Sequence, residues 1–248
     1  MDKFIVTLDS SESQPSFYWG SILHGMLIEM LPEPYPEVLH ENGLRPLSMF
    51  VYVKSETEFE WHIMSIDDDL TKAINAVLRE GMILTSRNQQ ADWIVKKVEQ
   101  QTTTVADYMA NIFLAPEASR GVRVTLKTPA THKSNGRYLI FPSVDILAMN
   151  LRAHVCRMLP DLPFGDDQVI NEILSHCYIS RYELRSSTYN LEGHYVPGYY
   201  GRFEIHFQGP DPLRRLAETL FSFAAWCGIG AKTALGMGGC VIERLSEK

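Results

Sequence analysis

Apolar and polar positions along this chain follow two rhythms, a period of two and a period near 3.6, and their order of appearance predicts the fold. "KFIVTLD" reads as a strand. "SFYWGSILHGMLIEML" places Trp19, Ile22, Leu23, Met26, Leu27 and Met30 at helical spacing, the stripe of an amphipathic helix. "LSMFVYVKS" and "EFEWHIMSI" are two strands close enough for a hairpin, joined through Ser55, Glu56 and Thr57. "DDDLTKAINAVLREG" is a helix with aspartates at its start and Gly81 at its end, and an apolar "MILTS" with a longer extended stretch follows. The order β-α-β-β-α-β is the split βαβ, or ferredoxin-like, arrangement: an antiparallel sheet with two helices on one face.

A turn-rich break, "APEASRG", separates this half from a second with the same order and longer strands. "VRVTLKTPATHK" and "RYLIFPS" flank Ser134-Asn135-Gly136, where Asn-Gly signals a hairpin. "SVDILAMNLRAHVCRML" is a helix with Ser143 as its expected N-cap. "HCYISRYELRSSTYNL" and "YYGRFEIHFQG" are strands of a second sheet, with "EGHYVPG" as a protruding turn between them. "DPLRRLAETLFSFAAWC" is the last helix, with Asp211 expected at the N-cap, Pro212 at the first helical position and Gly228 at the end. "GGCVIERL" supplies a final strand. The predicted class is α+β, two ferredoxin-like domains in tandem, divided as residues 1–118 and 119–248.

Composition agrees with a globular chain: 248 residues, 45% of them hydrophobic, can bury two cores of ordinary size. No apolar stretch reaches the roughly 18–20 residues that cross a bilayer, and "MDKFIVTLDSS" lacks the layout of a secretory leader, so the expected place is the cytoplasm, with no membrane partner. Cys156, Cys177, Cys227 and Cys240 are scattered without a paired spacing, which fits buried thiols better than a zinc site or a disulfide framework. A net charge of −7 argues against general nucleic-acid affinity, but it is unevenly spread. Residues 1–120 hold 9 Lys and Arg against 18 Asp and Glu, a net of −9, whereas residues 121–248 hold 14 against 12, a net of +2. An anionic ligand is expected on the C-terminal half.

The densest chemical signal is "GIGAKTALGMGG", Gly228 to Gly239. A P-loop needs Gly directly before Lys, after a strand and before a helix; here Ala231 intervenes and the loop follows a helix. A dinucleotide fingerprint fails on the same context. Glycines still let a ligand approach the backbone closely, and successive N–H groups can form a concave nest for phosphate oxygens, with Lys232 adding a charge. Gly228, Gly230, Lys232, Thr233, Gly236 and Gly238 are therefore candidates for binding a phosphate-bearing ligand, against the simpler reading of a helix C-cap followed by a tight turn.

This loop, following an amphipathic helix on two ferredoxin-like halves, resembles the signature of the CRISPR-associated repeat-processing endoribonucleases of the RAMP superfamily. "GSILHGMLIEML" followed by "VLHENGLRPLSMFVY" resembles that family's first helix and the histidine-containing loop after it, and "VRVTLKTPATHKSNGRYLIFPSVDIL" resembles its central region. The resemblance implies single-site cutting of a CRISPR repeat in precursor RNA without metal or other cofactor. It also leaves room for a CRISPR effector complex or a homodimer as further partners. A non-catalytic RNA-binding subunit of such a complex is the alternative, and a small-molecule phosphate enzyme a weaker one.

RNA carries its own nucleophile, the 2′-OH beside the scissile phosphate, so an enzyme need only align it, move protons and stabilise charge. His40 lies in "VLHENGLRP" just past a proline-rich turn and near Arg45, which puts a proton-transfer group and a fixed cation in one short segment. In the resembling family a histidine of this loop acts in catalysis with a basic residue after it, and His40 and Arg45 match those positions. His24 lies about 130° from the centre of its helix's apolar stripe, which argues against a core role. The resemblance sets it by the scissile phosphate, as a second catalytic or a positioning group. Some relatives carry a tyrosine one turn further along, where this chain has Ile28. The other histidines show no metal spacing. Lys133 and Arg137 flank the predicted Asn-Gly hairpin, and Arg181 and Arg185 fall on one face of a predicted strand, so these four are candidate backbone contacts for RNA, although a solvated face would look the same.

Overall fold

A computed structural model describes residues 1–10, 13–40, 45–86 and 91–246, excepting the side chains of Val38 and His40. Its first sheet is built from β1 (Asp2–Asp9), β2 (Leu47–Val53), β3 (Glu58–Ser65), β4 (Ile83–Ser86) and β5 (Ala91–Thr102), antiparallel throughout in the order β2-β3-β1-β5-β4. The period-two pattern works as it reads: Phe4, Val6 and Leu8 point to one face and are fully buried. Onto that face pack α1 (Gly20–Met30) through Leu23 and Leu27 and α3 (Asp68–Val77) through Leu70 and Ile74, with Phe59, Trp61 and Ile63 of β3 between them. Trp19, in the 3₁₀ turn Phe17–Trp19, stacks on Trp93 with ring centroids 4.4 Å apart.

The second sheet repeats the plan. It contains β6 (Gly121–Leu126), β9 (Cys177–Leu191), β10 (His194–Phe207) and β11 (Cys240–Leu245) in the order β11-β6-β10-β9, again antiparallel. Taken in the order of their appearance, the four main strands of each half occupy the same places, so the fold is two ferredoxin-like units in tandem, as the alternation of patterns predicts. Val122, Val124, Phe203, Ile205 and Phe207 face α5 (Val144–Met158), α6 (Asp167–Ser175) and α7 (Asp211–Ser222). A separate hairpin, β7 (His132–Ser134) and β8 (Arg137–Leu139), leaves the end of β6, so the long strand expected from "VRVTLKTPATHK" is two. Asn135 and Gly136 both take positive φ, 50° and 77°, as a type I′ turn requires.

Local signals hold with small shifts. Ser143 caps α5 by accepting from the Ile146 N–H at 3.3 Å. The cap of α7 is Pro210, not Asp211, which is the first helical residue. Helix α3 stops at Val77, where the Leu78 N–H closes on Ile74 O, and Gly81 (φ 80°) instead forms a turn whose N–H reaches Val95 O. The "EGHYVPG" turn shrinks to Glu192 and Gly193. Residues 194–198 already belong to β10, and Pro197 fits because β10 there pairs only with β9. Helix α4 (Val105–Phe113), preceding residue 118, packs Tyr108 and Ile112 into the second core, its Tyr108 Oη donating to Thr219 O at 2.7 Å.

Candidate active site

The glycine segment lies in the seam between the two sheets. Helix α8 (Ala224–Cys227) ends at Gly228 (φ 72°), and the chain doubles back over a 3₁₀ turn, Thr233–Leu235. Ile229 N–H donates to Gly238 O and Gly238 N–H to Pro129 O, both at 2.9 Å. Ala231 N–H donates to Thr131 O at 2.8 Å, and Gly239 N–H to Thr128 Oγ1 at 3.0 Å. At Gly238 (φ 66°) a Cβ would sit 2.0 Å from Ile229 O; at Gly236 (φ 98°) it would sit 2.3 Å from Tyr189 Oη and 2.8 Å from the Gly20 Cα. Close approach is thus what these glycines permit, but the approaching groups are the protein's own backbone and side chains. The sequence suggests an open nest, whereas Gly228, Gly236 and Gly238 are buried and the half-exposed shoulder runs from Gly230 through Lys232 to Thr233. Lys232 stands there in the left-handed region (φ 65°).

Helix α1 lies directly against this loop, since Gly20 meets Gly236, and its other end meets α2 (Tyr35–His40). Expecting His24 to lie off the buried face is a mistake, because it is only 6% exposed. A one-sided view of α1 fails here: the sheet covers Leu23 and Leu27 while the loop and β9 cover the flank with Gly20, and Ile22, Met26 and Met30 of the apolar stripe are left half-covered. His40 is the last residue of α2; its side chain is outside the described residues. Arg45 is half-buried just before β2.

The basic candidates sit elsewhere on the C-terminal half. Lys133 and Arg137 are exposed on the β7–β8 hairpin. The base of that hairpin is fixed by His132, which is 1% exposed. Its Nδ1–H donates to Asn150 Oδ1 at 2.6 Å and its Nε2 accepts from Tyr199 Oη at 2.9 Å. Both bonds suit the neutral ring, and burial lowers its pKa. Arg181 and Arg185 are exposed on the outer face of β9, the edge strand, and Arg185 lies over the Tyr200 ring at 5.1 Å. Neighbouring Arg202 and Arg123 are tied to Glu183 and Glu204, each at 2.8 Å. The structure therefore divides the candidates: His24, Gly230, Lys232 and Thr233 gather around α1 and the loop, and the hairpin and β9 cations form a second group.

A cleft that the hydrophobic pattern does not reveal adjoins α1. The tip of the β9–β10 hairpin crosses to the N-terminal half, where Tyr189 donates to Phe17 O at 2.9 Å, and a hollow of about 600 Å³ opens between that tip and α1. Only the Glu-Gly pair at 192–193 could have signalled so tight a turn.

The seam itself is well tied. Ser48 Oγ donates to Trp226 O at 2.9 Å, Lys127 Nζ lies 5.2 Å above the Tyr52 ring, and Phe50, against Gly239, stacks on His62. Burial pushes the His62 pKa down to about 4, and the neutral ring's Nε2–H donates to Glu60 Oε2 at 2.9 Å. Among the described residues, no group of three or more His, Cys, Asp or Glu could hold a metal ion, and no helix is long and apolar enough to cross a membrane.

The family model described as CRISPR-associated endoribonuclease Cas6 matches residues 124–240. A CRISPR-associated endoribonuclease Cas6 of Streptococcus thermophilus is 29% identical over 225 residues, covering 90% of this chain and 91% of that protein. One of Mycobacterium tuberculosis is 25% identical, covering 92% and 73%. A Thermus thermophilus Cas6 in a product complex superposes with a TM-score of 0.78 at 17% identity, covering 98% of this chain and 99% of that one, a likeness of fold. Sequence likeness over nine tenths of the chain and likeness of fold over nearly all of it agree with the resemblance carried by the glycine and histidine segments, and the chain is similar to the CRISPR-associated endoribonucleases called Cas6.

Proposed function

We propose that the protein cleaves CRISPR repeat RNA in precursor transcripts by attack of the RNA's own 2′-OH, leaving 2′,3′-cyclic phosphate and 5′-hydroxyl ends. The observation that carries the reading is that α1 packs against both the glycine segment and α2, within a chain similar in sequence to Cas6 endoribonucleases. His40 transfers the proton, to or from the sugar and leaving-group oxygens. Arg45 and Lys232 offset the charge that builds on the phosphorane-like transition state. His24, nearly buried, suits a positioning role behind His40 better than a first encounter with substrate. No metal or cofactor enters the proposed reaction, because nucleophile, proton carrier and cation are supplied by RNA and side chains.

The exposed cations of the β7–β8 hairpin and β9 hold phosphates of the repeat away from the cut. Dividing the chain into units 1–118 and 119–248 separates two roles, proton transfer in the first and RNA grip in the second. Incubating the purified protein with repeat RNA in EDTA and analysing the products by mass spectrometry tests this. A single cut with cyclic-phosphate termini supports it; tight binding without cleavage would turn the reading to a binding subunit.

A further inference from the structure

The cleft between α1 and the β9–β10 tip has a chemistry unlike that of the rest of the proposed RNA surface. Its walls are Ser16, Tyr18, Ser21, Ile22, Asn190 and Glu192, and it runs on into a hollow of about 320 Å³ beside Met26 and Glu29. Neither part is lined by a lysine or arginine among the described residues. Ser21 borders the cleft and is 9% exposed, and its Oγ, screened from solvent, has no hydrogen-bond partner among the described residues. Such a hydroxyl costs stability unless a ligand or water completes it.

The remaining groups are complementary to a base edge. Glu192, at the two-residue turn with φ 49°, presents a carboxylate that only accepts. Asn190 Oδ1 is already used by the Gly193 N–H at 2.8 Å, which leaves its amide nitrogen as donor. Tyr18 and Ile22 supply an aromatic ring and an apolar wall of the kind on which an unstacked base lies. Ser21 stands one turn before His24 on α1.

We infer that this cleft receives one unpaired nucleobase of the RNA and selects a base with an exocyclic amine: Glu192 accepts from the amine, and Asn190 and Ser21 bond the remaining edge. This rests on the reading of the protein as an RNA endonuclease, and it locates a specificity site close to the proposed cut.

Sequencing the bound fraction of a randomised single-stranded RNA pool, for wild type, Glu192→Gln and Ser21→Ala, tests it. Wild type should enrich adenine, cytosine or guanine over uracil at one position, by about tenfold, and Glu192→Gln, which keeps an acceptor oxygen but loses the charge, should reduce that preference severalfold there alone. Ser21→Ala should weaken the same position. Wild-type preferences that persist unchanged in both variants would overturn the subsite while leaving RNA binding intact, whereas a wild type that retains no RNA would overturn the underlying reading as well. In parallel, the four nucleoside monophosphates at millimolar concentration report on free nucleotides: a thermal shift with a monophosphate, lost in Glu192→Gln, would give the cleft to a small molecule and overturn its assignment to RNA.

Discussion

At the scale of single residues, the glycine segment shows how one sequence feature can be visible and yet misjudged. Clustered glycines announce close approach, but the sequence does not say what approaches, and here Ile229 O, Thr131 O, Tyr189 and Phe50 do. Gly238→Ala, with its Cβ 2.0 Å from Ile229 O and φ 66°, should destabilise the protein by about 2 kcal/mol or more in urea denaturation. Gly25→Ala is the contrasting case. Inside α1 with nothing within 4 Å of its Cβ, it should stabilise by about 0.5–1 kcal/mol. His62 predicts a pH effect. Its folded pKa, about 4, is below the ordinary 6.5, so the unfolded chain binds the extra proton between those values. Its contribution to stability is complete above about pH 6.5 and is lost as pH falls towards 4. His154, also held down to about 4 by burial, adds to the same window. Melting temperature should fall across that interval, and less steeply in His62→Gln; an equal slope would contradict the assignment.

At the scale of elements, strands and long helices are legible because their apolar periods match their burial. What escapes is burial from two sides. Helix α1 reads as one-sided, so His24 is misplaced until the loop and β9 are seen to close its other flank. Helices α4 and α6 escape for a related reason: each is only nine residues, with two fully buried positions, too short for the period to stand out. The β7–β8 hairpin is foreseen from Asn-Gly, and its exposure makes it testable. Lys133→Ala with Arg137→Ala should weaken RNA binding and flatten the plot of log affinity against log salt by about 0.7 per lost phosphate contact. Arg202→Ala, which first breaks a link to Glu183, should change that slope less. Equal slopes in all variants would remove the hairpin from the interface.

At the scale of the whole molecule, the tandem fold follows from a pattern read twice, and the net charge of −7 is no obstacle because RNA need meet only the cations concentrated on residues 121–248. The active site is less legible than the fold. His40, Arg45 and the loop can be singled out from sequence, but the joining of the two halves through the β9–β10 hairpin and the seam rests on contacts between residues 172 and 178 positions apart that no local pattern encodes. The central claim is that the RNA's 2′-OH is the nucleophile and His40 carries its proton. Single-turnover cleavage of end-labelled repeat RNA in EDTA tests this most directly, comparing wild type with His40→Ala and the natural substrate with one 2′-deoxy at the scissile nucleotide. Wild type should make one cut, the deoxy substrate should stay intact, and the rate should fall by about 10²-fold or more in His40→Ala. Cleavage of the deoxy substrate, or an undiminished rate in His40→Ala, would contradict it.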